Sequence, residues 1–360
     1  MRLCNNAVLA ALLLAGAVLT APAQTQPANQ NSNGQNAPAQ APSLSEDRDP
    51  VRSPDVTAPE TGAGPLSKQG GGYVLRTDVE EVVLNCTVLD GNRLVQDLKG
   101  ENFQVLEDGT KQNIISFQHT DLPVSIAVVI DNSGSMYRKR PSVNKSAMDL
   151  IAASNPRDEA FVVNFSDEAF IDQDFTSDVN KLRDGLSHID SRGGTALYDA
   201  VVASADKLVA DAKRPKQVIV LITDGEDNAS TLNLEQTIRR VQELSGPVIY
   251  TIGLLFGDEM SRAEVRHARR ALEMLSTETG GLAFFPKSME DVDQIAAEVA
   301  RDIRSQYTIG YHSTKPTTEP GFRRVQVTAE EKGANKLTVR TRTGYFPVTP
   351  VGKKAKSSGQ

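Results

Sequence analysis

Five side chains with oxygen donors stand directly after apolar runs or a pair of glycines. Asp131, Ser133 and Ser135 follow the run PVSIAVVI at every second residue, and Asp224 follows the run VIVLIT. Thr195 comes after two glycines in SRGGTALYDA. Carboxylate and hydroxyl oxygens suit a hard divalent cation, and Mg²⁺ in particular takes octahedral oxygen ligands at about 2.0–2.1 Å. The set therefore predicts a magnesium site.

The turn DNSGS has a simpler explanation when it is taken alone. Polar turns after strands are common, and this one is equally typical of a helix N-cap with Asx-type hydrogen bonds. The combination with Thr195 and Asp224 favours metal binding, because all three groups then lie at the ends of structural elements. Asp199 either supports such a site or stabilises a helix N-terminus through the dipole. Glu226 and Asp227 could be charges on the rim of the site, but a solvated loop is the favoured interpretation.

The elements that must position these side chains alternate between apolar runs and amphipathic segments. We predict strands over residues 124–130, 160–165, 218–223, 248–252 and 282–285, with helical spacing between them. Capping boxes are predicted at Asn233 with Gln236 and at Ser261 with Glu264, and Gly280 is a predicted helix stop. This order is typical of an α/β fold with a doubly wound, mostly parallel sheet. Ligands of such sheets bind beyond the carboxyl ends of the strands, where the five oxygen donors fall.

Two β segments flank this α/β region. Residues 73–120 and 305–347 contain short alternating strands and turn signals such as Asp90-Gly91-Asn92. Pattern alone does not match antiparallel partners that are distant in sequence, so a shared small β-sandwich stays an open prediction. Cys86 alternates with apolar residues on one strand face and is interpreted as a core thiol.

The remaining segments indicate export. Residues 1–23 have an Arg, an apolar run and an A-x-A-like cleavage site, which is typical of a signal peptide. An uncleaved anchor is the alternative, but the run is shorter than the ~20 residues that cross a bilayer. Residues 24–72 are rich in Pro, Gln and Asn, a composition that predicts a disordered linker. Residues 348–360 are predicted to form a flexible tail. We place the α/β domain at residues 121–304 and expect a periplasmic, cell-surface or secreted protein without a transmembrane segment after cleavage.

Composition and motifs argue against two classes of function. The net charge of −7, with acidic residues spread along the chain, disfavours nucleic acid as the main partner. The four histidines are scattered, and G-x-S-x-G, H-E-x-x-H and P-loop motifs are absent from the sequence. Glu264 and His267 form an E-x-x-H pair, but the surrounding arginines favour a solvated helix face. We therefore predict that the chain is not an enzyme.

The oxygen set resembles a known motif. Asp131-x-Ser133-x-Ser135, Thr195 and Asp224 match, in order and context, the metal-ion-dependent adhesion site of the von Willebrand factor type A (VWFA) domain. The flanking FQVLEDGTKQNIISF, QYTIGY and RTRTGYF are similar to the bacterial VWFA-related family with a signal peptide, so the resemblance covers about residues 73–347. It implies that the two serines bind metal directly, the threonine directly or through water, and the aspartates partly through water.

The resemblance also implies a function. A Glu or Asp carboxylate of a partner protein would complete the coordination of Mg²⁺, or of Mn²⁺ or Ca²⁺, in an exported adhesion or protein-interaction module. A metal-dependent hydrolase that uses the same ion as a Lewis acid is one alternative. The other is a structural envelope protein whose β segments bind without metal.

Overall fold

The computed structural model describes residues 81–153, 155–187, 191–244, 246–256, 260–331 and 336–347, together with four short strands earlier in the chain. The predicted signal peptide and the predicted tail lie outside the described residues, and so does most of the predicted linker. No helix in the described part of the chain is long and apolar enough to cross a membrane.

The elements of the described chain run as follows. The strands are β1 (Leu44–Glu46), β2 (Asp49–Val51), β3 (Lys68–Gln69), β4 (Gly72–Tyr73), β5 (Glu81–Asp90), β6 (Arg93–Leu94), β7 (Phe103–Glu107), β8 (Thr110–Gln112), β9 (Ile114–Gln118), β10 (Val124–Asp131), β11 (Glu159–Phe165), β12 (Ala169–Thr176), β13 (Lys216–Thr223), β14 (Val248–Gly253), β15 (Ala283–Phe284), β16 (Tyr307–His312), β17 (Arg323–Ala329), β18 (Thr338–Arg340) and β19 (Gly344–Tyr345). The helices are α1 (Arg140–Ala152), α2 (Val179–Leu186), α3 (Leu197–Asp211), α4 (Leu234–Leu244), α5 (Arg262–Thr279) and α6 (Glu290–Arg304).

The larger sheet is the mixed, mostly parallel sheet of an α/β domain. Its strand order is β15-β14-β13-β10-β11-β12-β1-β2, and β10 pairs in parallel with both β11 and β13. β11 turns back into β12 through an antiparallel pairing, and β1, which lies in the predicted linker, adds in parallel to β12. All eight residues of β10 are buried, as expected for a strand covered on both faces.

Helices cover both faces of this sheet and divide its core in two. Alternate residues of a strand point to opposite faces, so β10 contributes to both cores. Ile126 and Val128 pack with residues of α1, α2 and α6, whereas Ala127 and Val129 pack with residues of α3, α4 and α5. The predicted α/β fold with a doubly wound sheet is therefore confirmed. The predicted cap of α5 is confirmed as well, because Ser261 and Glu264 form a reciprocal capping box.

The two β segments pair with each other and form a β-sandwich. One sheet has the order β18-β5-β16-β9, with β6 beside β5, and the other has the order β19-β17-β7-β8. Each sheet therefore combines strands from before and after the α/β domain, and the apolar side chains between them form one core. Cys86 lies in that core beside Leu84 and Val88, as predicted, and burial raises the pKa of its thiol to about 12.

A buried polar cluster lies within this β-sandwich. The Glu107 carboxylate accepts hydrogen bonds from the hydroxyls of Tyr311 (2.8 Å), Tyr345 (3.0 Å) and Ser313 (2.5 Å). The Arg323 guanidinium lies 3.7 Å from the same carboxylate, and both charged side chains are almost fully buried. The cluster joins β7, β17 and β19 to β16 and its following turn, so it spans both sheets.

The end of α6 connects the α/β domain to the β-sandwich. Asp302 accepts hydrogen bonds from the Tyr250 hydroxyl of the α/β sheet (2.6 Å) and from the Arg340 guanidinium of β18 (2.5 Å). Close by, the buried ammonium of Lys216 donates to the carbonyl of Ile303 at 2.6 Å. Burial lowers the pKa of Lys216 to about 8, although nearby carboxylates act in the opposite direction.

Candidate metal centre

Asp131 is the last residue of β10 and the most enclosed member of the oxygen set. Its Oδ1 accepts the backbone N–H of Ser133 at 2.8 Å, and its Oδ2 accepts the hydroxyl of Thr223 at 2.6 Å. Burial raises the pKa of Asp131, the nearby charge of Asp224 adds to this, and the hydrogen bonds from Ser133 and Thr223 oppose it. Because both oxygens are held, the carboxylate has a fixed orientation at the end of the strand.

The two serines of the turn connect Asp131 to the neighbouring strand. The hydroxyl oxygens of Ser133 and Ser135 are 3.1 Å apart, and the Ser135 hydroxyl donates to Oδ1 of Asp224 at 2.8 Å. Asp224 directly follows β13, which is the parallel neighbour of β10. Parallel strands end at the same edge, so residues 89 positions apart meet there.

Thr195 reaches the same edge from the loop before α3. Its N–H donates to Oδ1 of Asn228 at 2.8 Å, and its carbonyl accepts the N–H groups of Asn228 (3.0 Å) and Ala229 (3.3 Å). Its hydroxyl has no hydrogen-bond partner among the described residues, and Thr195 lines the same cleft as Ser135 and Asp224. The loop therefore fixes the backbone of Thr195 and leaves its hydroxyl available.

The glycine before Thr195 has a conformational role. Gly193 has φ 77°, which L residues with a side chain rarely adopt, and a Cβ there would overlap the Asp167 carboxylate. That carboxylate accepts the N–H of Gly194 at 2.7 Å. The Asp167 carboxylate can therefore contact the loop this closely only because residue 193 has no side chain.

The loop after β13 is held against the start of α3 by two aspartates. Asp227 accepts the N–H of Tyr198 at 3.1 Å, and Asp199 accepts the N–H groups of Thr231 (2.9 Å) and Leu232 (3.1 Å). The interpretation of a solvated loop is thus wrong for Asp227. Asp199 does lie in the first turn of α3, as the helix-dipole explanation requires, but its oxygens also hold the neighbouring loop.

Two basic residues at this edge were missed by the sequence reasoning. The ammonium of Lys139 lies 2.6 Å from Oδ2 of Asp224. The fully buried guanidinium of Arg140 donates to Oδ1 of Asn164 at 2.7 Å. Burial lowers the pKa of Arg140 to about 10, although the charges of Asp172 and Asp131 act to raise it. The signal in the sequence is the basic run RKR, which begins three residues after Ser135.

An open cleft of ≈ 350 Å³ gives access to these oxygens. Ser135, Lys139, Thr195 and Asp224 line one part of it, and apolar side chains, among them Phe256, line another. Tyr137, at the end of the turn that carries Ser135, has 69% of its surface exposed. Nearby, Nδ1 of His267 lies 2.8 Å from Oε1 of Glu226, so the E-x-x-H histidine is paired with the loop after β13.

The donor set fits a small, hard cation. Ligands at adjacent corners of an octahedron with bonds of about 2.0–2.1 Å lie about 3 Å apart. The Ser133–Ser135 and Ser135–Asp224 oxygen separations of 3.1 and 2.8 Å are hydrogen-bond distances, and they are also short enough for adjacent ligands of one ion. Among the described residues no three His, Cys, Asp or Glu side chains form a metal-binding group, so a cation here depends on the hydroxyls.

Comparisons with known structures return proteins of low identity. An aerotolerance-related membrane protein from Bacteroides fragilis NCTC 9343 is 17% identical, over 50% of this chain and 98% of its own, with a TM-score of 0.41. A von Willebrand factor type A protein from Catenulispora acidiphila is 13% identical, over 75% of each chain, with a TM-score of 0.43. Proximal thread matrix protein 1 from the mussel byssus, solved with a zinc-occupied MIDAS motif, is 18% identical, over 56% of this chain and 50% of its own, with a TM-score of 0.42.

Sequence comparison is more specific. The search of curated proteins finds no match. The family model of the von Willebrand factor type A domain matches residues 126–226. That segment begins within β10 and ends after β13, so it includes all five predicted site residues. Together with the α/β fold described above, this match supports a von Willebrand factor type A-like fold for the domain.

Proposed function

We propose that this domain binds a divalent cation and uses it to capture an acidic side chain of a partner protein. Ser133 and Ser135 would hold the ion directly, Thr195 directly or through water, and Asp131 and Asp224 partly through water. The main support is the convergence of the Ser133, Ser135 and Asp224 oxygens at one edge of the sheet, close enough together to be ligands of one small cation. The hydroxyl of Thr195, which has no hydrogen-bond partner in the described part of the chain, lies on the same cleft and adds to this support.

The chain's own groups prepare the site for this role. Thr223 and the Ser133 backbone orient the Asp131 carboxylate, so no reorganisation of that side chain is needed on binding. A cation held mainly by hydroxyls supplies a strong positive charge, which attracts an external carboxylate. The cleft is open, so a side chain of another protein can reach the ion.

We propose further that the protein acts outside the cytoplasm and by binding alone. The signal-peptide pattern in residues 1–23 supports export, and von Willebrand factor type A domains typically mediate protein interaction or adhesion. We expect no turnover on panels of phosphoesters and peptides. Activity that disappears in Asp131→Asn would instead favour the hydrolase.

A metal titration of the full chain tests the proposal. After chelation, thermal unfolding is followed with Mg²⁺, Mn²⁺, Ca²⁺ and Zn²⁺ for the wild type, Asp131→Asn and the exposed control Asp211→Asn. An ion at 100 times its dissociation constant stabilises the native state by about 2.7 kcal/mol. We expect this shift in the wild type and the control, and its loss in Asp131→Asn, whose amide still offers an oxygen to Thr223.

Partner capture is tested in the same series. Binding to immobilised peptides that contain Glu or Asp should require the ion and stop on addition of EDTA. A wild type that responds to no ion, with or without acidic peptide, contradicts the proposal. Capture that EDTA leaves unchanged would favour binding by the β-sandwich.

A further inference from the structure

We propose that Lys139 is an internal cation that occupies Asp224 in the metal-free protein and competes with the divalent ion for that carboxylate. Lys139 thereby sets the affinity of the site for metal. This inference rests on the proposed function, because it concerns the same site. The family motif does not include Lys139, and the role comes from its position in this structure.

The ammonium of Lys139 takes the oxygen of Asp224 that the serine leaves open. Oδ1 of Asp224 accepts the Ser135 hydroxyl at 2.8 Å, and Oδ2 lies 2.6 Å from the Lys139 Nζ. Both oxygens of this carboxylate are therefore engaged. A cation that coordinates Asp224 must either displace the ammonium or bind beside it.

Burial makes this pair stronger than a surface ion pair. The side chain of Asp224 is 1% exposed and that of Lys139 is 15% exposed. A carboxylate that water barely reaches needs a counter-charge, and losing it is costly, whereas exposed pairs contribute little. The metal-free site is thus stabilised by Lys139, and this stabilisation must be given up in part when metal binds.

The side chain of Lys139 is also fixed on the path to the site. Lys139 directly precedes α1 and lines the cleft together with Ser135 and Thr195. Its Nζ lies 6.0 Å from the ring centroid of Phe256, within reach of a cation–π contact. The ammonium is therefore held where a divalent ion would enter, and two positive charges in one cleft repel each other.

Manganese affinity of the full chain provides the test. Mn²⁺ binding is measured by calorimetry and by the loss of the free-ion EPR signal for the wild type, Lys139→Met and Lys139→Gln. Lys145→Met is the control, because Lys145 lies on α1 but is 62% exposed and pairs with Asp149 and Asp293. We expect both Lys139 variants to bind Mn²⁺ about tenfold more tightly or better, and the control to bind like the wild type.

Stability gives a second readout in the same samples. Without metal, both Lys139 variants should unfold at a lower temperature than the wild type, and saturating Mn²⁺ should remove most of that difference. The glutamine variant keeps a hydrogen-bond donor, so it reports the loss of charge if the methionine variant does not fold.

The outcomes separate this inference from the proposed function. Equal or weaker Mn²⁺ binding by the folded Lys139 variants, with a wild type that binds, overturns the competition and leaves the metal site. Binding by the Lys139 variants alone supports both ideas. No binding by any variant overturns the metal site itself.

Discussion

Replacing Asp199 by alanine should release the loop that carries Asp224 from the start of α3. The carboxylate of Asp199 accepts three hydrogen bonds from this loop: the N–H and the hydroxyl of Thr231 at 2.9 and 2.6 Å, and the N–H of Leu232 at 3.1 Å. It also lies in the first turn of α3, where a negative charge is favourable.

The expected loss of stability follows from these contacts. Hydrogen bonds to a charged group contribute about 1.5–3 kcal/mol each, but Asp199 is only half-buried and water can replace part of them. We take about 2 kcal/mol for the three bonds and about 0.3–1 kcal/mol for the helix dipole. The unfolding free energy should therefore fall by about 2–3 kcal/mol, which for a domain of this size lowers Tm by about 5–10 °C.

Urea unfolding followed by circular dichroism measures this loss, and Asp211→Ala is the matched control. Asp211 lies at the other end of α3, is 54% exposed and pairs across one helical turn with Lys207, so its removal should change stability by less than about 0.5 kcal/mol. We also expect weaker Mn²⁺ binding in Asp199→Ala alone, because Asp224 moves with the loop. A loss of stability no larger than that of the control would refute the reasoning.

Three further perturbations probe other parts of the molecule. Glu107→Ala leaves the buried Arg323 without its carboxylate, so unfolding should become easier by about 3–5 kcal/mol in urea titrations, and a loss below about 1 kcal/mol would contradict this. The pKa of Lys216 is about 8 in the folded chain against an ordinary 10.5, so the unfolded chain binds more protons between these values. As pH rises from 7 to 10, the unfolding free energy of the wild type, measured by chemical denaturation, should increase by up to about 3 kcal/mol relative to that of Lys216→Met. If the two unfolding free energies change with pH in parallel, the pKa of Lys216 is not lowered. Gly193→Ala places a side chain at φ 77° and against Asp167, so it should lower the unfolding free energy by about 1–2 kcal/mol and weaken Mn²⁺ binding through Thr195. Unchanged stability and unchanged Mn²⁺ affinity would show that the loop tolerates a side chain.

The α/β fold was largely predictable because buried parallel strands appear in the sequence as continuous apolar runs. The predicted strand at residues 124–130 became Val124–Asp131, and that at residues 218–223 became Lys216–Thr223. The pairing of the two β segments was not predictable, since it depends on contacts between residues more than 200 positions apart, such as Leu98 and Tyr307. Local patterns carry no information about such partners.

The candidate site was predictable in its positions but less so in its charges. Strand ends place Asp131 and Asp224 at one edge, and the structure brings the serines between them; metal binding itself stays a prediction. The run RKR signals positive charge near the site, but the partners of Lys139 and Asp227 could not be predicted. A lysine side chain can point in several directions from its backbone, and a loop aspartate has many possible partners, so only the folded chain selects among them.

The shared sheets of the β-sandwich have a consequence for the order of folding. Tyr307 bonds Leu98 across 209 positions, so forming the sandwich first would close a very long loop at an entropic cost of about 5 kcal/mol. A folded α/β domain removes that cost, because Arg304 at its end already contacts Asp121 at its beginning at 2.7 Å. Pulsed hydrogen exchange during refolding should therefore protect β10 and β13 before β5 and β16, and simultaneous protection would argue against this order. During synthesis, the strands made first would wait unpaired until the last ones emerge, and they need protection from aggregation for that interval.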